Sequence, residues 1–230
     1  MRLVHVIQHT SAEYLGLIED HLEGRGVRFR YCRPFTGKVP LPKADAIDGG
    51  LILLGGGPWG SAGVRDVPTL QEEIALVRAC LERDTPVLGI GLGAQILAIA
   101  AGGRAEPVAL EFSIGKATRR NEKALQGYLP AEYPLALYMR DWPMPPPQAE
   151  VLAVDGKGRA ALWQLGAQAL GFACHPGLKT AMVEDLIMEF EDVPANVESG
   201  LAELRAVQRS IEDALVPIMA GVVKQMRWMQ

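Results

Sequence analysis

The sequence predicts an α/β domain: a mostly parallel sheet flanked by helices, with a C-terminal helical segment. Three observations carry this. Short strand-like apolar runs alternate with helical periodicity through the first half of the chain. One such run, Pro86-Val87-Leu88, ends in a glycine-rich turn that opens straight into a helix. From Leu178 onward the pattern is helical. The 230 residues suffice to bury a substantial core, and residues 1–230 read as one domain with a helical tail from about 178.

Taken in order, Leu3–Gln8 reads as a buried strand, Tyr14–Gly24 as an amphipathic helix closed by glycine, and Val27–Cys32 as a second strand. Gly50–Leu54 is a third strand, Leu70–Arg83 a helix, Val87–Ile90 a fourth strand and Ala94–Ala101 the helix after it. This rhythm demands a parallel sheet covered on both faces. Residues 111–175 change character, with β-like runs at Leu135–Tyr138, Glu150–Val154, Ala160–Gln164 and Ala169–Cys174. The prolines 143, 145, 146 and 147 stiffen one connection between them. In the tail, Leu204, Ile211 and Ile218 alternate with Leu215, Val222 and Met229 to mark one apolar helical face. Docking on the protein's own core is the plain reading of that face. A partner or dimer helix is the sharper one, and Pro217 argues against a long straight coiled coil.

Composition narrows the function classes. Nearly half the residues are hydrophobic (49%), yet no apolar run reaches the length of a membrane span. Met1-Arg2 leads into an apolar strand without a charged leader and cleavage site, so no signal peptide is expected. Cys32, Cys80 and Cys174 are odd in number and lack metal-ligand spacing, which reads as reduced thiols in the cytoplasm. A net charge of −4 argues against nucleic acid as the main partner. The basic cluster Lys116, Arg119, Arg120 and Lys123 reads first as a solvated surface, and second as a seat for an anionic ligand or an acidic partner. No metal site and no cofactor is expected; His5 and His9 read as packing or hydrogen-bonding residues.

Residues 89–95 read Gly-Ile-Gly-Leu-Gly-Ala-Gln between a buried strand and a helix. That is the setting of a nucleophile elbow, whose central residue presents a Ser or Cys. Here the central residue is Gly91, which has no side chain. The segment resembles the G-I-C-x-G-x-Q elbow of class I glutamine amidotransferases, with Gly91 in place of the cysteine. Leu53-Leu54-Gly55-Gly56-Gly57-Pro58 resembles the strand and G-G-P turn that supplies half of that family's oxyanion hole. Gly171–Pro176 resembles the strand ending in its H-P-E signature, with Gly177 in the place of the glutamate. Val6-Ile7-Gln8-His9 and the helical tail are similar to small, stand-alone, GMP-synthase-like members.

The resemblance implies a flavodoxin-like, doubly wound sheet and a Cys–His–carboxylate mechanism with two backbone N–H groups on the oxyanion. It places His175 as the base, Gly57 and Leu92 as the oxyanion donors, and Gln95 with them in the ligand-binding set. The nucleophile's position is Gly91 and the orienting carboxylate's is Gly177, and both are vacated. Loss of a triad nucleophile costs on the order of 10⁶ in rate, and loss of its acid about 10⁴. Cys174 is no substitute, because adjacent strand residues point to opposite faces and His175 takes the site's face. Cys80 reads as core, and Cys32, at the carboxyl edge of a strand, as the better candidate for a reactive thiol. Glycine tolerates the positive φ of an elbow without the strain a cysteine stores there, so the paired loss reads as a natural pseudoenzyme. The expectation is a binding or regulatory subunit for a synthase or other protein, with a glutamine-like or anionic small molecule as possible ligand and a homodimer as possible assembly. The alternative is an amidotransferase or glutaminase with rearranged catalytic residues.

Overall fold

The alternating apolar runs of the first half build the parallel side of one mixed sheet. The computed structural model describes residues 3–37 and 40–229; Met1 and Arg2, on which the missing leader was read, lie outside them. Strands β1 (Leu3–Ile7), β2 (Arg28–Cys32), β3 (Gly50–Leu53) and β4 (Val87–Ile90) are joined through helices α1 (Leu17–Glu23), α2 (Leu70–Glu82) and α3 (Leu92–Ala100). The second half supplies β5 (Arg104–Glu106), β6 (Glu111–Arg119), β7 (Glu132–Met139), β8 (Trp142–Met144), β9 (Glu150–Asp155), β10 (Ala160–Leu165) and β11 (Ala169–Phe172). Helices α4 (Thr180–Glu189) and α5 (Val197–Gln225) end the chain.

Nine of these strands form one sheet in the order β2-β1-β3-β4-β11-β10-β9-β6-β7, while β5 and β8 form a separate pair. The first five are mutually parallel and the rest antiparallel. Strand order reverses at β1, which has β2 on one side and β3 on the other. Such a reversal leaves a crevice outside the carboxyl ends of the strands, the place where open α/β sheets bind ligands.

Period-two alternation divides the core. Val4, Val6, Ile52, Leu54, Leu88 and Ile90 pack with Ile18 and Leu22 of α1 and Leu215, Ile218 and Val222 of α5. Ile7, Leu51, Leu53 and Val87 take the other face with Ile74 and Val77 of α2 and Ile96 of α3. The tail's apolar stripe therefore docks on the protein's own sheet, although Met229 remains exposed. Two close approaches hold α5 down: a Cβ on Gly200 would come within 2.5 Å of Phe112, and one on Gly221 within 2.6 Å of Leu125.

Several elements differ from the sequence expectation: the short pair β5 and β8 was not expected, and Pro143, read as part of a stiff connection, lies within β8. Helix α1 starts at Leu17, not Tyr14, because Gly16 turns the chain with φ +60° and lies against the Gly177 carbonyl. Strand β6 had no apolar alternation to announce it, yet pairs with β7 from Glu111↔Met139 to Thr118↔Glu132. It carries Lys116 and Arg119 of the basic cluster, and both are engaged locally: Lys116 lies 3.5 Å from Glu132, and Arg119 donates to the Leu129 carbonyl at 2.6 Å.

Candidate active site and its closure

The elbow is built as its glycines require. Strand β4 ends at Ile90, Gly91 adopts φ +55° and ψ −115°, and α3 begins at Leu92. A Cβ on Gly93 would strike the Leu53 carbonyl at 2.1 Å, and one on Gly89 the Gly93 carbonyl at 2.5 Å, so those two glycines are needed for packing. Gly91 is different: a Cβ there meets only Gly55 Cα at 3.4 Å and Glu13 Oε1 at 4.0 Å. Space for a Cβ is present, and at that atom only the backbone conformation selects glycine. Leu92 opens α3, so its N–H has no intrahelical acceptor.

The second turn explains its run of glycines. A Cβ on Gly55 would fall on the carboxyl group of Glu13. Gly57 has φ +56°, and Leu186 of α4 covers it so closely that a Cβ would sit 2.6 Å from Leu186 Cδ2. The Gly57 N–H donates to Glu13 Oε2 at 2.8 Å. An internal carboxyl thus fills the seat of one expected oxyanion donor. Burial raises the Glu13 pKa to about 7, against the pull of the Gly57 N–H and of His9.

Behind this turn lies a buried ion pair. His9 donates from Nε2 to Glu73 Oε2 at 2.8 Å and from Nδ1 to the Gly55 carbonyl at 3.1 Å. Two acceptors require both ring nitrogens protonated. Burial disfavours that charge, but Glu73 overcomes it, and the His9 pKa is raised. Thr69 Oγ1 donates to the other Glu73 oxygen at 2.5 Å.

His175 follows β11 and faces the same cavity as Gly91. Its Nε2 lies 2.7 Å from the Tyr14 carbonyl, and the Gly177 N–H lies 3.2 Å from its Nδ1. A carbonyl only accepts and an amide N–H only donates, so the proton is on Nε2 and the Nδ1 lone pair is engaged. Burial lowers the His175 pKa to about 4. Tyr14's carbonyl orients the ring, but a neutral acceptor stabilises an imidazolium far less than a carboxylate does. Gly177 has little space to regain one, since a Cβ there would lie 3.0 Å from both Ile18 N and Ile18 Cγ1.

The space shared by Glu13, Gly91, Tyr138, Cys174, His175 and Leu186 amounts to about 10 Å³. That is the bare minimum for one water molecule. Gln95 uses its amide elsewhere: it accepts from Ser61 Oγ at 2.7 Å and donates to the Arg140 carbonyl at 2.7 Å, stapling α3 to two loops. The three cysteines are free and buried, and burial pushes the Cys174 thiol to about 12, the Cys80 thiol to about 11 and the Cys32 thiol up. Among the described residues no cluster of His, Cys, Asp or Glu could hold a metal ion, and no helix is long and apolar enough to cross a membrane.

The sequence reading missed Glu13, placing it as a residue just before a helix. The one trace of it in the sequence is a glycine more than the turn needs: Gly55 does not have a positive φ, and the structure shows it is there for close approach.

Residues 13–179 match the model of the glutamine amidotransferase class I family. The chain is 28% identical over 216 residues to the glutamine amidotransferase-like protein YfeJ of Salmonella typhimurium, covering 88% of this chain and 89% of that one. Its fold is similar to that of a glutamine amidotransferase from Methylobacillus flagellatus, with a TM-score of 0.81, 23% identity and coverage of 98% and 95%. A glutamine amidotransferase from Thermotoga maritima gives a TM-score of 0.80 at 20% identity, with 98% of each chain covered.

Proposed function

This chain belongs to the class I glutamine amidotransferase family, and we propose that it is a member without glutamine hydrolysis, acting as a binding or regulatory subunit. The observation that carries this is the Glu13 carboxyl on the Gly57 N–H beside a nucleophile position that holds only glycine. Covalent catalysis needs a nucleophile, a base with a free lone pair and an oxyanion site. Here Gly91 supplies no nucleophile, the His175 lone pair is taken by the Gly177 N–H, and one oxyanion donor is occupied.

Substrate access supports the same reading. A cavity of about 10 Å³ cannot admit the side chain of glutamine. Recognition then falls to the outer surface, where α4, whose Leu186 covers Gly57, exposes Met188. A synthase or another protein subunit is the partner that suits this role. Three free, buried thiols fit a reducing cytoplasm.

Two measurements on the purified chain test the proposal. Ammonia release from glutamine should equal the blank, and a glutamine-directed electrophile should leave the intact mass unchanged. Turnover above the blank, or stoichiometric labelling at Cys32 or Cys174, would establish instead an amidotransferase with rearranged catalytic residues.

A further inference from the structure

A second depression lies at the carboxyl edge of the parallel strands, beyond the triple-glycine turn, and the family motifs do not account for it. It measures about 220 Å³ and is lined by Pro34, Phe35, Trp59, Val67, Thr69 and His9. Its walls come from the segments after β1, β2 and β3, around the point where strand order reverses. Those walls are held rigidly. Thr36 N–H donates to the Arg33 carbonyl at 3.1 Å, and Gly37 N–H to the Pro34 carbonyl at 2.9 Å. Arg33 Nε donates to Gln8 Oε1 at 2.8 Å, and Trp59 N–H to the Gly56 carbonyl at 3.0 Å.

Three features specify an occupant. The volume is about one and a half times that of a cavity of about 150 Å³ that holds benzene, which suits two fused rings. Phe35 is 45% exposed, and Trp59 is half-buried with the Arg65 guanidinium 5.0 Å from its ring centroid; flat rings stack on such incompletely covered aromatic surfaces. Among the described residues the lining carries one charge, on His9, and it is already paired with Glu73, so no described lining residue offers a charged ligand a counter-ion. At the floor, the Thr69 hydroxyl spends its proton on Glu73 and keeps its oxygen lone pairs as acceptors.

We propose that this cavity binds a neutral, planar, bicyclic heteroaromatic molecule through stacking on Trp59 and Phe35, with a ring N–H donated to Thr69 Oγ1. The site is separate from the closed one and stands whether or not glutamine is hydrolysed.

An NMR titration of the full chain with indole, 1-methylindole and cyclohexanol tests it. Indole should give saturable shifts at the amides of Phe35 and Thr69 and at the Trp59 side-chain N–H, and cyclohexanol none. Phe35→Ala, at a half-exposed position that leaves folding intact, should weaken indole about fivefold, and Trp59→Leu about tenfold. On the wild type 1-methylindole should bind about fivefold more weakly than indole, a difference that Thr69→Val abolishes. Absence of saturable shifts, equal binding of cyclohexanol, or unchanged affinity in both aromatic variants would overturn the site. Equal binding of indole and 1-methylindole to the wild type would overturn the assigned donor.

Discussion

Two depressions at the carboxyl edge of one sheet are linked through Gly55, which touches a lining residue of each, and they are finished to different degrees. On one side, Glu13, His175 and Gly57 all have partners and about 10 Å³ remains. On the other, aromatic rings border about 220 Å³ over a floor where the His9–Glu73 pair is closed and Thr69 Oγ1 keeps its lone pairs. Gly55 serves both: its carbonyl accepts from His9, and its missing Cβ makes space for Glu13. The comparison teaches that inherited motifs mark where chemistry can be housed, whereas incomplete packing marks where a ligand can still go.

The largest expected effect comes from the buried ion pair that holds the Gly55 carbonyl. Glu73→Ala strands the His9 imidazolium, buried and without its counter-ion. Urea unfolding should show a loss of about 3–5 kcal/mol, since removing one partner of a buried pair leaves an uncompensated charge. A loss below about 1 kcal/mol would mean that the pair is not a structural hinge of both regions.

Next in size is the cover of the closed side. Leu186 is fully buried and rests against Gly57. Leu186→Ala should cost about 2–5 kcal/mol by the same measurement.

A third test uses pH. Glu13 titrates near 7 in the folded protein against an ordinary value of 4.5, so the native state holds the extra proton between these values. Its contribution to stability therefore falls as pH rises through that window, by up to about 3 kcal/mol. His175 runs oppositely: with a folded pKa of about 4 against 6.5, its contribution grows as pH rises from 4 to 6.5. Glu13→Gln is permanently neutral and keeps an oxygen for the Gly57 N–H. It should gain up to about 3 kcal/mol near pH 8 and almost nothing near pH 4.5. Equal effects at both pH values would show that Glu13 is ionised throughout. The smallest effect belongs to the open side, where Phe35→Ala should change stability by no more than about 0.5 kcal/mol.

Much of the closed site was legible because its glycines are local signals. Gly91, Gly57 and the Gly171–Pro176 strand each announce a turn or strand end within a few residues, and the structure brings those ends to one edge. The closure itself was not legible. Glu13 acts on Gly57 across 44 residues of sequence, and Tyr14 on His175 across 161. Side-chain periodicity carries no information about such pairings. Strand β6 was missed for a related reason: Gly115 and a run of basic residues mimic a loop, and only pairing with β7 and β9 makes them a strand. The aromatic cavity is spread over three connections, so no single segment displays it.

On the proposed function, an absent nucleophile and the Glu13 carboxyl together close the site. Intact-mass labelling by a glutamine-directed electrophile tests it in Gly91→Cys and in Gly91→Cys/Glu13→Ala. A Cβ at 91 has space, so both variants should fold despite a backbone cost of about 1–3 kcal/mol. The single variant should give no adduct, and the double variant, where the Gly57 N–H is released, should give one at residue 91. Equal labelling of both, or of neither, would contradict it.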